Sequence, residues 1–182
     1  MKKAIKIRKA IANDVYEVHE VIRKTWLKTY PNVKEGITIK DIEDKFKKDD
    51  TPEGKKKIEE QKKIYKDKNQ QVWVAEENNQ IIGFCTAGKE QKNNRIRGIY
   101  ILPNYQGKGV GKLLIEKAFA WSGTDKDILV NVASYNQQAI GFYKRFGFIE
   151  TGRCGVFDKG ARLPSGKLIP EIEMVKRASS EK

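Results

Sequence analysis

Ile99-Tyr100-Ile101-Leu102-Pro103-Asn104-Tyr105-Gln106-Gly107-Lys108-Gly109-Val110-Gly111 is the stretch on which the reading of this chain turns. Its first four residues form an apolar, strand-like run. A proline and a glycine-rich turn follow, and from Lys112 an apolar helical pattern sets in with Leu113, Leu114, Ala118 and Trp121. Glycines at 107, 109 and 111 leave backbone N–H groups unobstructed. The first turn of the following helix adds unpaired donors and the positive end of the helix dipole, about half an elementary charge. A strand that runs through such a turn into a helix N-terminus is an anion cradle suited to a pyrophosphate.

Two familiar phosphate cradles do not fit. A P-loop requires Ser or Thr after Gly-Lys to meet magnesium, and Gly111-Lys112 is followed by Leu113. A dinucleotide fingerprint requires a third glycine where Lys112 stands, near the start of a βαβ unit, and this turn lies beyond the middle of the chain. The pattern Gln-x-x-Gly-x-Gly after a strand carrying a proline closely resembles the GNAT family, the GCN5-related N-acetyltransferases. In that family (Arg or Gln)-x-x-Gly-x-(Gly or Ala) binds the pyrophosphate of acetyl coenzyme A. Gln106, Gly109 and Gly111 match it, which implies that Gly107, Lys108, Val110 and Lys112 lie along the same cofactor. The resemblance also implies that the backbone of Ile99, Tyr100 and Ile101 pairs with the pantetheine arm as an added strand does.

A second element stands about twenty-five residues further on. The β-branched run Ile128 to Ala133 precedes Asn136-Gln137-Gln138-Ala139-Ile140-Gly141-Phe142-Tyr143, and Phe146-Gly147-Phe148-Ile149 closes the segment. This is similar to the family's signature Asn-x-x-Ala-x-x-(Phe or Leu)-Tyr. A capped amphipathic helix explains the same spacing, with Asn136 as N-cap, Ala139, Phe142, Tyr143 and Phe146 inward and Gly147 as the C-terminal glycine. The two readings are compatible. The resemblance covers residues 72 to 175 well and the first seventy only in outline.

The chain has 182 residues, enough for one domain with a real core, and a net charge of +13. We expect a single domain over residues 1–176 and a frayed polar tail over 177–182. The N-terminal residues alternate charge with apolar side chains, a strand pattern and not a signal peptide, and no stretch approaches membrane-spanning length. Two cysteines, Cys85 and Cys154, are too few for a disulfide framework and suit a reducing, cytoplasmic setting. Much of the positive excess lies between Lys45 and Lys68, where lysines alternate with acids as on a solvated helix face. Without interleaved aromatics or a recognised reading element, this basicity does not indicate a nucleic-acid module. It can steer the anionic coenzyme.

Along the chain, strand patterns fall at 5–9, 72–76, 81–87, 95–102, 128–133, 148–156 and 168–175. Helices are expected from Asn13 or Asp14 toward Trp26, from a Thr38–Asp41 capping box, and from Lys55 to Tyr65, besides the two at the signatures. Pro31 is expected to push Tyr30 out of the α region. The order gives an α/β fold. The resemblance implies a mixed, mostly antiparallel twisted sheet of six to seven strands with helices on both faces, whose central strands splay to form the acetyl-CoA cleft.

Acetyl transfer to an amine needs a neutral nucleophile, a donor for the developing oxyanion and an acid for the departing thiolate. A phenol of pKa about 10 is protonated at neutral pH, and the resemblance places Tyr143 beside the coenzyme sulfur as that acid. It implies for Asn136 a hydrogen bond to pantetheine, and for Ala139 and Phe142 a place beside the cofactor. The glutamate that many members carry in the strand before the glycine turn is replaced here by Arg95 and Arg97, so no base is assigned. Glu76, Glu171 and Glu173 are carboxylates on strand faces, expected to be exposed. The only histidine, His19, is expected at the surface of the first helix. The resemblance implies that Trp26 and Tyr30, just beyond the first helix, wall the site of the acceptor, a small-molecule amine or polyamine or a peptide or protein amine, which takes the acetyl group directly in a ternary complex. No metal is expected. Two readings differ in class: a non-catalytic acyl-CoA-binding regulator and a basic nucleic-acid-binding module. A homodimer is an expectation from the frequency of dimers among relatives.

Overall fold

The computed structural model describes residues 4–157 and 159–179. The first three residues and positions 180–182 of the expected tail lie outside the described residues. Among the described residues seven strands form one sheet in the order β1-β2-β3-β4-β5-β7-β6. They are β1 (Lys6–Lys9), β2 (Gln70–Glu77), β3 (Gln80–Lys89), β4 (Asn94–Ile101), β5 (Ile128–Ala133), β6 (Ile149–Gly155) and β7 (Glu171–Lys176). The β2–β3 hairpin closes on Asn78 and Asn79 at φ of 55° and 60°, the two consecutive left-handed residues that a tight primed turn needs.

All neighbouring pairs are antiparallel except β4 and β5, which run parallel over only three residue pairs, ending at Ile96 opposite Val130. Just beyond, the register of β4 against β3 shifts at Thr86/Ala87, so Arg97 falls in a bulge, and bulges bend and twist their strand. The sheet therefore opens between the C-terminal halves of β4 and β5, leaving main-chain groups on both sides without a strand partner.

The described residues also form five α-helices: α1 (Val15–Thr29), α2 (Ile39–Phe46), α3 (Pro52–Glu60), α4 (Val110–Ser122) and α5 (Gln137–Arg145). The register puts Trp73, Cys85 and Ile99 on one face and Val74, Phe84 and Tyr100 on the other. Trp73 meets Trp121 of α4 at 5.8 Å between ring centres, while Tyr100 stacks on Phe84 and hydrogen-bonds to Tyr30 beside α1. Consequently α4 and α1 lie on opposite faces. The main core runs through β2, β3, β4 and α4. A second core gathers Trp26, Ile37, Ile42, Phe46, Ala161, Leu163 and Ile169.

Several local expectations change. The Thr38–Asp41 box forms as read, with Asp41 N–H donating to Thr38 Oγ1 at 3.2 Å and Thr38 N–H to Asp41 Oδ2 at 2.7 Å. Helix α3 starts at Pro52, because Thr51 caps it from Gly54 N–H at 3.1 Å and a proline fits the first turn; it then passes into a 3-10 segment over Gln61–Lys66. Tyr30 keeps φ −94° and ψ −19°, still near the α region, although α1 ends just before Pro31. Leu113 is exposed, and Leu114, Ile115 and Ala118 carry the inner face of α4. His19 is half-buried, 2.7 Å from Asp49 in the α2–α3 turn. The tail is tied down as far as Ser179: Arg177 pairs with Asp127 at 2.7 Å, Ala178 N–H donates to the same carboxylate, and Ser179 N–H donates to Thr124 O.

Candidate active site

The glycine turn does what its sequence requires. Gly107 and Gly109 take φ of 74° and 84°, the left-handed region that side chains avoid, and Gly109 is the residue on which α4 begins. With glycine as N-cap no side chain satisfies the first N–H groups of α4, and these point past the turn. Gln106 is fixed by its Nε2, which donates to the carbonyl of Ile101 at 3.0 Å. Gly111 is buried; a Cβ there would stand 3.0 Å from the Phe142 ring and 3.2 Å from Ile101. A side chain at 111 would thus fill the floor of the turn.

A cleft of about 610 Å³ opens at this point, between β4 and β5. Ile99, Tyr100 and Ile101 form one wall, Val132 and Ala133 the other, and Gln106, Gly107, Gly109, Gly111 and Lys112 one end. From α5 come Asn136, Ala139, Phe142 and Tyr143. Asn136 is also the N-cap, accepting from Ala139 N–H at 3.0 Å. Two expected cofactor residues point elsewhere: Val110 is 1% exposed in the core, and Lys108 sits over the Tyr105 ring at 5.2 Å, so only their main chains face the turn's anion path. Phe142, Phe146 and Ala139 are only half-buried, because the apolar face of α5 is in part the cleft wall; Ile140 and Tyr143 are its buried members. Arg145, near the end of α5, also lines this cleft. Sequence reasoning did not single it out, since a basic residue in a last helical turn is ordinary.

Tyr143 is 5% exposed and lies against Phe142 and Phe148. Burial, with Cys85 and Tyr100 nearby, pushes its phenol well above its ordinary pKa, so it holds its proton throughout the physiological range. Cys85 is fully buried and its thiol is likewise pushed up by burial, which removes it as a nucleophile.

A second cleft of about 520 Å³ lies on the α1 face and shares Tyr30, Arg97, Tyr100, Asn131 and Ala133 with the first. The two meet through the gap between β4 and β5. Trp26 and Tyr30 both line this second cleft, their rings 4.3 Å apart. Burial and a hydrogen bond with Tyr100 push the Tyr30 phenol well above its usual value. Glu171 and Glu173, expected on an exposed face, are 8% and 5% exposed and line this cleft, whereas Glu76 pairs with Arg8 at 2.8 Å on the β1–β2 side of the sheet. The outer wall is the β6–β7 connection, held to α2 by Lys45 donating to Gly160 O at 2.8 Å and by Lys167 on Asp41 at 2.7 Å.

A model of the acetyltransferase (GNAT) domain matches residues 68–150, the span that carries β2 to α5 and both signatures. An uncharacterized N-acetyltransferase of Chlorobaculum tepidum is 37% identical over 109 residues, 57% of this chain and 68% of that protein. The chain belongs to the GNAT family. Among GNAT relatives it is also similar to the peptidyl-lysine N-acetyltransferase YjaB of Escherichia coli, 36% identical over 94 residues that cover 51% of this chain and 59% of that one. The chain thus spans less than two thirds of the YjaB sequence. The PaiA N-acetyltransferase of Thermoplasma acidophilum, solved in complex with coenzyme A, superimposes with a TM-score of 0.67 at 21% identity over 96% of this chain and 99% of that one, a likeness of fold. Among the described residues no helix is long and apolar enough to cross a membrane.

Proposed function

We propose that this protein is an N-acetyltransferase that moves the acetyl group of acetyl coenzyme A directly to a primary amine, with a peptide lysine as the acceptor type. One observation carries the reading: the sheet parts beyond Ile96 and Val130 beside an uncapped helix N-terminus, and a second cleft on the other face opens through the same gap. The donor set fits the cofactor. Free N–H groups at Gly109, Val110, Gly111 and Lys112 suit a pyrophosphate, the unpaired edges of β4 and β5 suit the amide-bearing pantetheine arm, and Lys112 and Arg145 add cations at the cleft. The identity of YjaB as a peptidyl-lysine enzyme supports the acceptor type.

Acetyl coenzyme A supplies an acyl carbon activated as a thioester. Tyr143, protonated and dry, holds its O–H for the sulfur and gives up the proton as the carbon–sulfur bond breaks. Trp26, Tyr30 and Tyr100 position the amine on the opposite face, and the proton it loses on forming the new carbon–nitrogen bond passes to the acceptor cleft, where Glu171 is the buried carboxylate next to the tyrosines. Thiol release from acetyl coenzyme A is the test. Micromolar binding by calorimetry, with thiol release only when a lysine peptide is added, is the expected result. Binding without release to any amine would favour a regulator, and absence of binding would overturn the assignment of the glycine turn.

A further inference from the structure

The second cleft is charged in an unusual way for a site that must receive an amine. Arg95, Arg97 and Arg153 line it against Glu171 and Glu173, and Glu90 stands beside it, 3.1 Å from Arg97 and 3.8 Å from Arg95. The acids are also already engaged. Glu173 is held between Arg153 at 3.3 Å and Arg95 at 3.7 Å, with Arg95 also donating to Asn131 Oδ1 at 3.2 Å. Glu171 accepts the main-chain N–H of Phe157 at 2.8 Å. This polar row crosses β4, β5, β7 and β6 as the floor of the cleft. Above it two guanidiniums have weak commitments. Arg97 is 44% exposed and pairs with Glu90, itself 41% exposed, while Arg153 is 66% exposed and lies over the Phe157 ring at 5.4 Å. The Arg97–Glu90 pair is of the exposed kind that contributes little and exchanges readily for another anion, and Arg153 reaches the buried Glu173 through Nη1, which leaves its other guanidinium nitrogens to face the cleft.

A polycationic amine would meet three guanidiniums and carboxylates that already have partners. An amine with a carboxylate beside it would find a guanidinium for the acid and Glu171 with the tyrosines for the amine. We infer that the acceptor carries a carboxylate close to its reactive amine, read by Arg97 and Arg153. This rests on the transferase reading above and deepens it. The shared chemistry is a carboxylate near a primary amine, and it has two sources: the α-carboxylate of a free amino acid or an acidic side chain next to the modified lysine of a peptide.

The test is steady-state acetyl transfer by the full chain against two matched pairs: lysine against its decarboxylated diamine, and two lysine peptides that differ by Glu or Gln next to the lysine. A charge-assisted bond to a guanidinium corresponds to about a tenfold preference. The carboxylate member of at least one pair should therefore win by about tenfold or more in kcat/KM, and the pair that shows it names the source. In the double variant Arg97→Gln, Arg153→Gln that ratio should fall to within about threefold of one. Both side chains are at the surface, so the fold is expected to survive, checked by circular dichroism. Equal rates within both pairs, a preference for the diamine, or a preference that persists in the variant would overturn the inference while leaving the transferase intact. Coenzyme binding without transfer to any of the four amines would also overturn it. Absence of coenzyme binding would remove the reading beneath it.

Discussion

The two clefts that meet at the β4–β5 gap are made in different ways. The coenzyme side consists of two strand-to-helix passages, β4 to α4 and β5 to α5, each continuous in sequence and each relying on main-chain geometry: positive φ at Gly107 and Gly109, a helix that starts on a glycine, strand edges that stop pairing. The proposed acceptor side draws on residues 26–46 and 153–173, brought together by a second core and by two ties, Lys45 to Gly160 and Lys167 to Asp41. A ligand gripped by backbone constrains the sequence locally, since only certain residues permit the backbone. A ligand gripped by side chains on distant elements leaves each element free to vary, which suits a site whose occupant differs between family members.

If that contrast is right, the largest single effect should come from the coenzyme side. Gly111→Glu puts a side chain where even a Cβ stands 3.0 Å from Phe142, and a carboxylate where the first turn of α4 would hold phosphate. Like charges brought together cost several kcal/mol, so acetyl coenzyme A affinity should fall by about 100-fold or more. Calorimetry reads this, with circular dichroism confirming that the helices remain. Undiminished affinity would place the cofactor elsewhere. Tyr143→Phe should act on chemistry instead: kcat down by about 100-fold, as for loss of a general acid, with coenzyme affinity within about threefold of the parent. Equal turnover would return Tyr143 to a purely structural role in the core it shares with Phe148.

On the acceptor side the corresponding change is smaller and remote from the gap. Asp41→Asn weakens both the capping box of α2 and the tie to Lys167. Thr38 Oγ1 still accepts the main-chain N–H of residue 41, so the loss should be limited to a few degrees in Tm for a chain of this size. Because the tie holds the wall of the second cleft, acceptor KM should rise by about threefold to tenfold while coenzyme affinity holds, an order-of-magnitude expectation for misplacing a side-chain wall. A coenzyme affinity that fell in step would show that the two sides are not separable.

The same contrast explains what could be read from the sequence. Gln106 to Gly111 and Asn136 to Gly147 declare turn, cap and helix by residue type, and their joint spacing identifies the family. Trp26 and Tyr30 could be nominated for the acceptor wall because the family resemblance implies that wall in the region just beyond the first helix, but their partners could not. That Glu171 and Glu173 are buried depends on α1, α2 and the β6–β7 connection closing over β7, and alternation in a strand does not say which face is covered. Arg95 and Arg97 registered only as a missing glutamate. Their place in a four-strand polar row follows from the order β4-β5-β7-β6, which local pattern does not encode. Val110 and Lys108 were assigned with their turn, although a turn presents side chains in several directions.

The subtlest way to separate the two sides is by pH. Lys167 and Thr38 hold the Asp41 carboxyl well below the usual carboxylate range. A group whose pKa is depressed on folding contributes stability that is complete above its unfolded value, about 3.9 for Asp, and is lost as the pH falls toward the folded value. Near Tyr143 the shift is opposite: burial raises the phenol, so its contribution is complete below about 10 and is lost as rising pH ionises the unfolded chain first. Acid should therefore weaken the tie from Lys167 to Asp41, and alkali the packing around the buried phenols of Tyr143 and Tyr30. In urea unfolding followed from pH 3 to pH 11, Asp41→Asn should flatten the acid limb and leave the alkaline limb unchanged, and Tyr143→Phe should do the reverse. Each change amounts to a fraction of the total slope, because Asp14 beside Arg8 also titrates low and Tyr30 also titrates high. An acid limb unaltered by Asp41→Asn would mean that the tie from Lys167 does not persist in solution, and the acceptor wall would then be held by the second core and the bond from Lys45 to Gly160 O.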